Sequence, residues 1–263
     1  MDAPTRWREL IALPEHELHL DELALLISAH ANPDLDVPAQ LERLNDLARR
    51  AGEPTTAAVC HLLFEVVGLR GDRVTYEDPS NSYLDHVLER RLGIPISLSV
   101  LLIEVGRRAG LALEGVGMPG HFLVRDRLDP DWLIDPFSAG RRVGHKACEE
   151  LLRATAGPTA QLTPAMLAPT GPRAVIQRML TNLDHSFRRR HDVQSLTWVT
   201  RLRLSVPGLG MSSQAELAAQ LEDLGYPADA ADVYEELAAW PGLDASVADR
   251  LATRAIAARA TMN

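Results

Sequence analysis

Three positions between residues 93 and 135 could act together in nucleophilic catalysis. Gly93-Ile94-Pro95 opens an apolar helix-like segment, His121 begins a strand-like segment and Asp135 ends the next one. A hairpin turn centred on Leu128 places His121 directly opposite Asp135, where the Cβ atoms of an antiparallel pair lie ~4.5–5.5 Å apart. The carboxylate would then accept the ring proton, fix the imidazole tautomer and raise its pKa. This arrangement supplies two of the three members of a nucleophile–His–Asp triad.

The same pair also has a purely structural interpretation. A histidine near an aspartate on a hairpin commonly forms a cross-strand hydrogen bond that stabilises the sheet. The spacing of His121 and Asp135 does not separate this interpretation from the catalytic one, and both stay open at the level of spacing.

The elements that would carry these residues are helical before residue 110 and strand-like after it. Helical spacing of apolar residues recurs in five segments, namely 8–31, 38–51, 55–67, 82–92 and 95–109. The last of these is apolar nearly all round in its first half, which predicts a buried central helix. Short strand-like segments follow at 113–117, 121–125 and 132–135, and they predict a small antiparallel sheet.

A proline-rich segment separates this part of the chain from a helical remainder. Residues 158–172 contain four prolines and are the best candidate for a linker. Beyond it, Val206-Pro207-Gly208 and Trp240-Pro241-Gly242 each end a helical segment, 34 positions apart. That period is typical of tetratricopeptide helix pairs, although a generic helical bundle also fits. We predict a first domain over 1–157, a linker over 158–172 and a helical, tetratricopeptide-like domain over 173–263.

The composition argues against several function classes. The 263 residues include 27 basic and 36 acidic side chains, and the net charge of −9 argues against a nucleic-acid binder. Two cysteines, Cys60 and Cys148, exclude a disulfide scaffold and a cysteine-rich zinc module. No apolar segment approaches the roughly 18 residues of a membrane span, and the chain lacks phosphate-loop and dinucleotide motifs. We expect a cytoplasmic protein with no cofactor, metal, nucleic-acid or membrane partner.

Several separated motifs carry a resemblance to a known family. They are Asn81-Ser82-Tyr83-Leu84, Val87-Leu88, Arg90-Arg91, Gly93-Ile94-Pro95-Ile96-Ser97-Leu98-Ser99, Pro119-Gly120-His121-Phe122-Leu123 and Ile134-Asp135-Pro136-Phe137. In this order they resemble the SirB-type bacterial family, densely over residues 20–140 and more loosely over 173–245. The resemblance implies an α+β fold, in which N-terminal helices and a small antiparallel sheet form a transglutaminase-like or papain-like core, followed by an all-α tetratricopeptide-like domain. By position, His121 and Asp135 match the His and Asp of that core.

The nucleophile of the superfamily is missing from its expected position. Active relatives have Gly-x-Cys at the start of the central helix, where this chain has Gly93-Ile94-Pro95. A cysteine at a helix N-terminus is favoured as thiolate. Proline suits the same position because its missing N–H would be unpaired there. Pro95 therefore preserves the helix and removes the nucleophile.

Other hydroxyls and thiols are predicted to be structural. Ser97 lies ~200° around the helix from Pro95 and Ser99 lies one turn deeper, ~6 Å along the axis, so we expect packing roles for both. Cys60 lies in an apolar helix and is predicted to be a small buried hydrophobe. Cys148 precedes two glutamates whose charge opposes thiolate formation.

Two functions fit these residues. The first is a non-catalytic binding, scaffold or regulatory protein with a protein or peptide partner. It would keep a vestigial triad of His121 and Asp135, with Pro95 at the lost cysteine position, beside a cleft lined by Asn81, Arg91 and Ser99. The second is a hydrolase or acyltransferase that uses His121 and Asp135 with an unrecognised nucleophile or an activated water.

Overall fold

The chain begins with helices in the positions that the apolar periodicity predicts. The structure is a computed structural model that describes residues 2–261. Helices α1 to α5 are Ala3–Ile11, Leu20–Ala31, Val37–Ala51, Thr56–Cys60 and Leu84–Arg90. Helix α4 continues as a π-helical segment, His61–Val66. The predicted segment 8–31 is divided because the chain leaves the helix before Pro14, where an i→i−4 hydrogen bond would be lost.

Two short parallel strands bring the start of the central helix next to the segment that follows the π-helix. Strand β1 is Arg70–Gly71 and pairs with β2, Leu92–Gly93. The amide of Asp72 extends this pairing by donating to the carbonyl of Gly93 at 2.9 Å. The segment after β1 is therefore fixed beside the helix start.

The central helix is buried, as its sequence predicts. Helix α6 spans Pro95–Arg108, and every residue from Pro95 to Gly106 is buried. Near its end the buried carboxylates of Asp21 and Glu104 are both contacted by Arg108. Each buried leucine or isoleucine side chain of α6 stabilises the fold by roughly 1.5–3 kcal/mol.

A five-stranded antiparallel sheet follows α6 and confirms the predicted mixed architecture. Its strands are β3 Leu113–Val116, β4 Leu123–Asp126, β5 Asp129–Asp135, β6 Arg141–Val143 and β7 Pro169–Thr170. The strand order is β6-β5-β4-β3-β7. Helix α7, His145–Ala156, adds Cys148 and Leu152 to an apolar cluster with Val116, Leu123 and Leu133.

The proline-rich segment does not act as a free connection between two domains. Strand β7 lies inside it and pairs with β3, with Thr170 opposite Gly115. Leu162 and Met166 from the same segment pack against the apolar cluster under the sheet. The chain divides into compact units later than we expected, between Ser186 and Phe187. The physical reason is that Pro164 begins a 3₁₀ turn and Pro169 begins an edge strand, and both kinds of element accommodate proline.

The remainder of the chain is helical, close to the predicted segments. Helices α8 to α12 are Pro172–Arg190, Val193–Ser205, Met211–Asp223, Pro227–Ala238 and Ala245–Ala260. The second unit has its own core, in which Tyr234 is fully buried among alanines of three helices. Among residues 2–261, no helix is both long enough and apolar enough to cross a membrane.

Candidate functional site

The start of α6 carries a proline where the triad interpretation requires a nucleophile. Pro95 is the first helical residue and is buried. The hydroxyl of Ser97 donates to the carbonyl of Asn81 at 2.6 Å and accepts from the amide of Ile94 at 3.1 Å. The hydroxyl of Ser99 lies 3.4 Å from the carbonyl of Phe122, its hydrogen-bond acceptor. The hydroxyls of both serines therefore bond to the backbone.

His121 and Asp135 are in contact. The Nε2 atom of His121 lies 3.0 Å from Oδ1 of Asp135, which also accepts from the amide of Ser138 at 3.2 Å. Burial by itself raises the pKa of the Asp135 carboxyl, but the bonds from His121 and Ser138 hold that pKa below its ordinary value. An ionised Asp135 accepts the proton on Nε2. The other ring nitrogen, Nδ1, then carries the lone pair and has no hydrogen-bond partner among residues 2–261.

The register that brings the pair together differs from the one we expected. Strand β4 begins at Leu123, and His121 precedes it in a turn closed by its amide and the carbonyl of Met118 at 3.1 Å. Val124 pairs with Ile134, so extending the alignment places Leu123, rather than His121, opposite Asp135. A register shift between Arg125 and Asp126 causes the difference. The imidazole reaches the carboxylate diagonally.

The side chain of Arg178 acts as a clamp on the turn before His121, and the sequence did not predict this role. The Nη2 atom of Arg178, on α8, donates to the carbonyls of Met118 and His121 at 2.8 and 2.7 Å. Gly120 adopts φ +69°, a left-handed conformation that favours glycine, and the side chain of Thr155 packs against it. Arg178 lies 57 residues after His121. No local motif could have linked two residues so far apart in the chain.

The ring of Phe137 connects His121 with the segment after β1. The His121 and Tyr76 rings meet it edge-on, with centroid distances of 6.2 and 5.9 Å. The guanidinium of Arg73 lies over it, 4.9 Å from the centroid. A Cβ added at Gly71 would lie 2.4–2.7 Å from three ring carbons, so the backbone of β1 touches Phe137 directly. Phe137 thus lies between His121 and strand β1. Strand β1 pairs with β2, which ends two residues before Pro95.

Residues 72–81 form a loop, the Tyr76 loop, that is closed at its base by two buried side chains. The Nδ2 atom of Asn81 donates to Oδ2 of Asp72 at 3.1 Å and to the carbonyl of Thr75 at 2.7 Å. Burial raises the pKa of Asp72, but hydrogen bonds from Thr75, Asn81 and Val74 lower it to about 2. Arg73 to Glu77 are exposed. The closed base presents Arg73 and Tyr76 towards Phe137.

The residues predicted to line a cleft lie elsewhere. Asn81 and Ser99 are fully buried, with their polar atoms bonded inside the fold. Arg91 is exposed and ends α5 in a left-handed conformation, φ 61°, with its carbonyl accepting from the amide of Arg70. The structure brings His121 and Asp135 together, and it places Phe137 against the ring of His121 and Arg178 against its backbone carbonyl.

Neither cysteine is placed as an activated nucleophile. Burial raises the pKa of the Cys60 thiol to about 11, and this thiol borders a separate cavity of about 270 Å³ beside Trp132 and Arg142. Burial, and then the charge of Asp135, raise the pKa of the Cys148 thiol. Within the described chain no three His, Cys, Asp or Glu side chains form a metal-ligand group.

Comparison with known proteins identifies relatives of the first unit. A family model described as "Transglutaminase-like superfamily" matches residues 15–181. A UPF0162 protein of Xylella fastidiosa is 39% identical over 190 residues, which cover 67% of this chain and 68% of that protein. F-box only protein 21 of Mus musculus is 35% identical over 136 residues, 48% of this chain and 21% of that protein. No solved structure matches significantly.

Proposed function

The chain belongs to the transglutaminase-like superfamily, and from this premise we propose that it is a non-catalytic member that binds a protein or peptide partner. The observation that carries the proposal is the residue at the start of α6. Pro95 occupies the first helical position, where a thiolate would gain from the helix dipole. Its ring has neither a proton to lose nor a lone pair to attack with.

The surroundings of Pro95 support the same proposal. The hydroxyls of Ser97 and Ser99 are directed at backbone carbonyls rather than at the imidazole of His121. The pKa values of both thiols are raised, which opposes thiolate formation at neutral pH. His121 and Asp135 would then be a vestigial pair that stabilises the turn and the sheet edge beside the Tyr76 loop.

The finer assignments belong to this proposal as well. The motifs around Asn81, Gly93-Ile94-Pro95 and His121 favour the SirB-type branch of the superfamily. The helical segment 173–263 would act as a tetratricopeptide-like array, whose stacked helix pairs form extended binding surfaces in other proteins. We propose that this segment contributes to partner recognition.

A hydrolase or acyltransferase is the second candidate, and one observation favours it. Asp135 is fully buried and holds Nε2 of His121, which leaves Nδ1 as a base without a partner among the described residues. A histidine held in this tautomer could activate a water molecule or an incoming amine. Such a mechanism would need no side-chain nucleophile at position 95.

An assay panel separates the two candidates. The purified full chain, His121→Ala and the control His61→Ala are tested for amine incorporation into glutamine peptides and for hydrolysis of amide and ester substrates. His61 is exposed on the π-helical segment, away from the pair. We expect no turnover with any of the three. Turnover by the wild-type chain that His121→Ala abolishes and His61→Ala retains would refute the non-catalytic proposal.

A further inference from the structure

The region around Phe137 contains positive charge without a counter-ion. Arg178 is half-buried, and burial lowers the pKa of its guanidinium. The hydrogen-bond acceptors of its Nη2 atom are two backbone carbonyls, which carry no net charge. No carboxylate pairs with Arg178 or Arg73 within residues 2–261. This is unusual for a chain with a net charge of −9, because buried charges in proteins are generally paired.

The hydrogen bonds of Arg178 are only partly used. Its Nη2 atom donates to the carbonyls of Met118 and His121. Among the described residues, Nε and Nη1 have no acceptor. The Nη1 atom packs closely against the backbone of Gly117, because a Cβ there would lie 3.0 Å from it. The Nη2 atom therefore holds the guanidinium of Arg178 in place, while Nε and Nη1 have no acceptor among the described residues.

Tyr76 and Arg73, on the Tyr76 loop, supply further donors near Phe137. The ring of Tyr76 contacts Phe137, which also meets the ring of His121, and the backbone carbonyl of His121 accepts from Arg178. The hydroxyl of Tyr76 has no hydrogen-bond partner in the described chain. Arg73 is exposed and lies over Phe137, which Tyr76 also contacts. We define the recess as the site formed by the side chains of Arg73, Tyr76, Phe137 and Arg178.

We propose that the recess binds a carboxylate group of a peptide. Because Nη2 is occupied, Nε or Nη1 would donate a single charge-assisted hydrogen bond to the carboxylate, and such a bond is roughly twice as strong as a neutral one. The rings of Tyr76 and Phe137 would contact the apolar part of the ligand next to the carboxylate. The carboxylate comes either from a glutamate or aspartate side chain or from a chain terminus. This inference rests on the proposed function, because it supplies the chemistry by which a partner peptide is recognised at the vestigial pair.

Matched peptides test the proposal on the full chain. The probes are an acetylated, amidated alanine-rich peptide with one glutamate, the same peptide with glutamine, a version with alanine there and a free C-terminal carboxylate, and inorganic phosphate. Binding is measured by calorimetry and by the NMR signal of the Arg178 Nε–H group. We expect one or both carboxylate peptides to bind at least about tenfold more tightly than the glutamine peptide, because it lacks the charge-assisted bond. The peptide that binds identifies the source of the carboxylate.

Arginine variants locate the binding. Arg73→Gln leaves the His121 turn intact and is expected to weaken carboxylate binding about fivefold, and Arg178→Gln at least about tenfold. The control is Arg127→Gln, an exposed arginine on the β4–β5 turn, which should bind like the wild-type chain. Because Arg178→Gln could also unfold the turn, Arg73→Gln alone suffices as a test.

Several results would overturn the proposal. They are equal binding of the glutamate and glutamine peptides, binding of phosphate alone, binding of no probe, and unchanged carboxylate binding in Arg73→Gln. The proposed function fails separately: turnover in the assay panel would refute the non-catalytic role without removing a carboxylate site. Equal binding of charged and neutral peptides would remove the carboxylate site without creating an activity.

Discussion

Pro95 and the two ring nitrogens of His121 define the chemistry of the first unit at the scale of single residues. Asp135 occupies Nε2 at 3.0 Å, so Nδ1 is the nitrogen left to act as a base. A base accelerates acyl transfer only when it can take a proton from a nucleophile within hydrogen-bond reach. Whether this chain performs chemistry therefore depends on which group lies next to Nδ1. At the helix start, where active relatives carry the cysteine nucleophile, this chain has Pro95.

Restoring a cysteine at the helix start tests this positional match. In Pro95→Cys, we expect the introduced thiol to have a pKa below the ordinary value of roughly 8.5, because the N-terminus of α6 stabilises the thiolate. Ultraviolet absorbance of the thiolate as a function of pH measures this pKa without a reagent that must enter a buried site. Cys60 is the internal control, with a pKa of about 11. An introduced thiol that titrates at or above the ordinary value would contradict the match.

Asp135 makes the stability of the fold depend on pH. The pKa of its carboxyl is lower in the folded chain than the ordinary 3.8. The ionised group therefore stabilises the fold at neutral pH, and this contribution is lost as the pH falls from 3.8 through the folded pKa. Asp135→Asn should reduce the free energy of unfolding by about 1–3 kcal/mol at pH 7, with a smaller difference at pH 3.

Urea denaturation at several pH values measures this effect. Asp131→Asn is the matched control, because Asp131 lies exposed on the same strand and should change the stability by less than about 0.5 kcal/mol. A loss for Asp135→Asn that stays constant from pH 7 to pH 3 would show that the charge of this group is not what stabilises the fold.

The sequence predicted the His121–Asp135 contact but not its geometry. Residue types and approximate spacing sufficed to select the two partners. The register shift at Arg125 and Asp126 could not be predicted, because the three unpaired residues of β5 between Asp129 and Leu133 leave no distinct trace in the alternation of apolar residues. Arg178 was missed for a different reason, since its role depends on tertiary packing of α8.

At the scale of elements, the contact between β1 and Phe137 is the tightest approach near the site. Gly71→Ala places a methyl group within van der Waals overlap of the Phe137 ring. We expect a destabilisation of about 1–3 kcal/mol from overpacking. Thermal or urea denaturation checks this value.

A second substitution shows whether the ring is the cause. Phe137→Leu removes the crowded ring carbons, so Gly71→Ala should cost less in the Phe137→Leu background than in the wild-type chain. A double-mutant cycle measures this coupling. Strict additivity of the two changes would mean that Gly71 is needed for another reason.

Helices were predictable and loops were not, for a physical reason. The periodicity that predicts α6 arises from burial along one element, and it is present in the sequence itself. The Tyr76 loop, in contrast, is shaped by Asp72 and Asn81, two polar residues nine positions apart. Asn81 was expected to line a cleft, because a polar side chain inside a motif looks the same whether it faces a ligand or the backbone.

At the scale of the whole molecule, the boundary of the first unit is testable by truncation. A chain ending at Arg190 should fold cooperatively and keep the His121–Asp135 contact, since it includes β7 and Arg178. A chain ending at Gly157 should not fold cooperatively. It lacks β7, the edge strand that pairs with β3, and Arg178, the donor to the carbonyls of Met118 and His121. Circular dichroism and the dispersion of amide NMR signals distinguish the two. A native-like spectrum from the shorter chain would restore the boundary at 157.

The clamp on the His121 turn has a consequence for biosynthesis. Thr170 and Arg178 are translated 53 and 57 residues after the positions that they bind, Gly117 and His121. The ribosome therefore releases the histidine turn well before the side chains that secure it. Until α8 emerges, the nascent chain carries this turn without the arginine that binds its carbonyls.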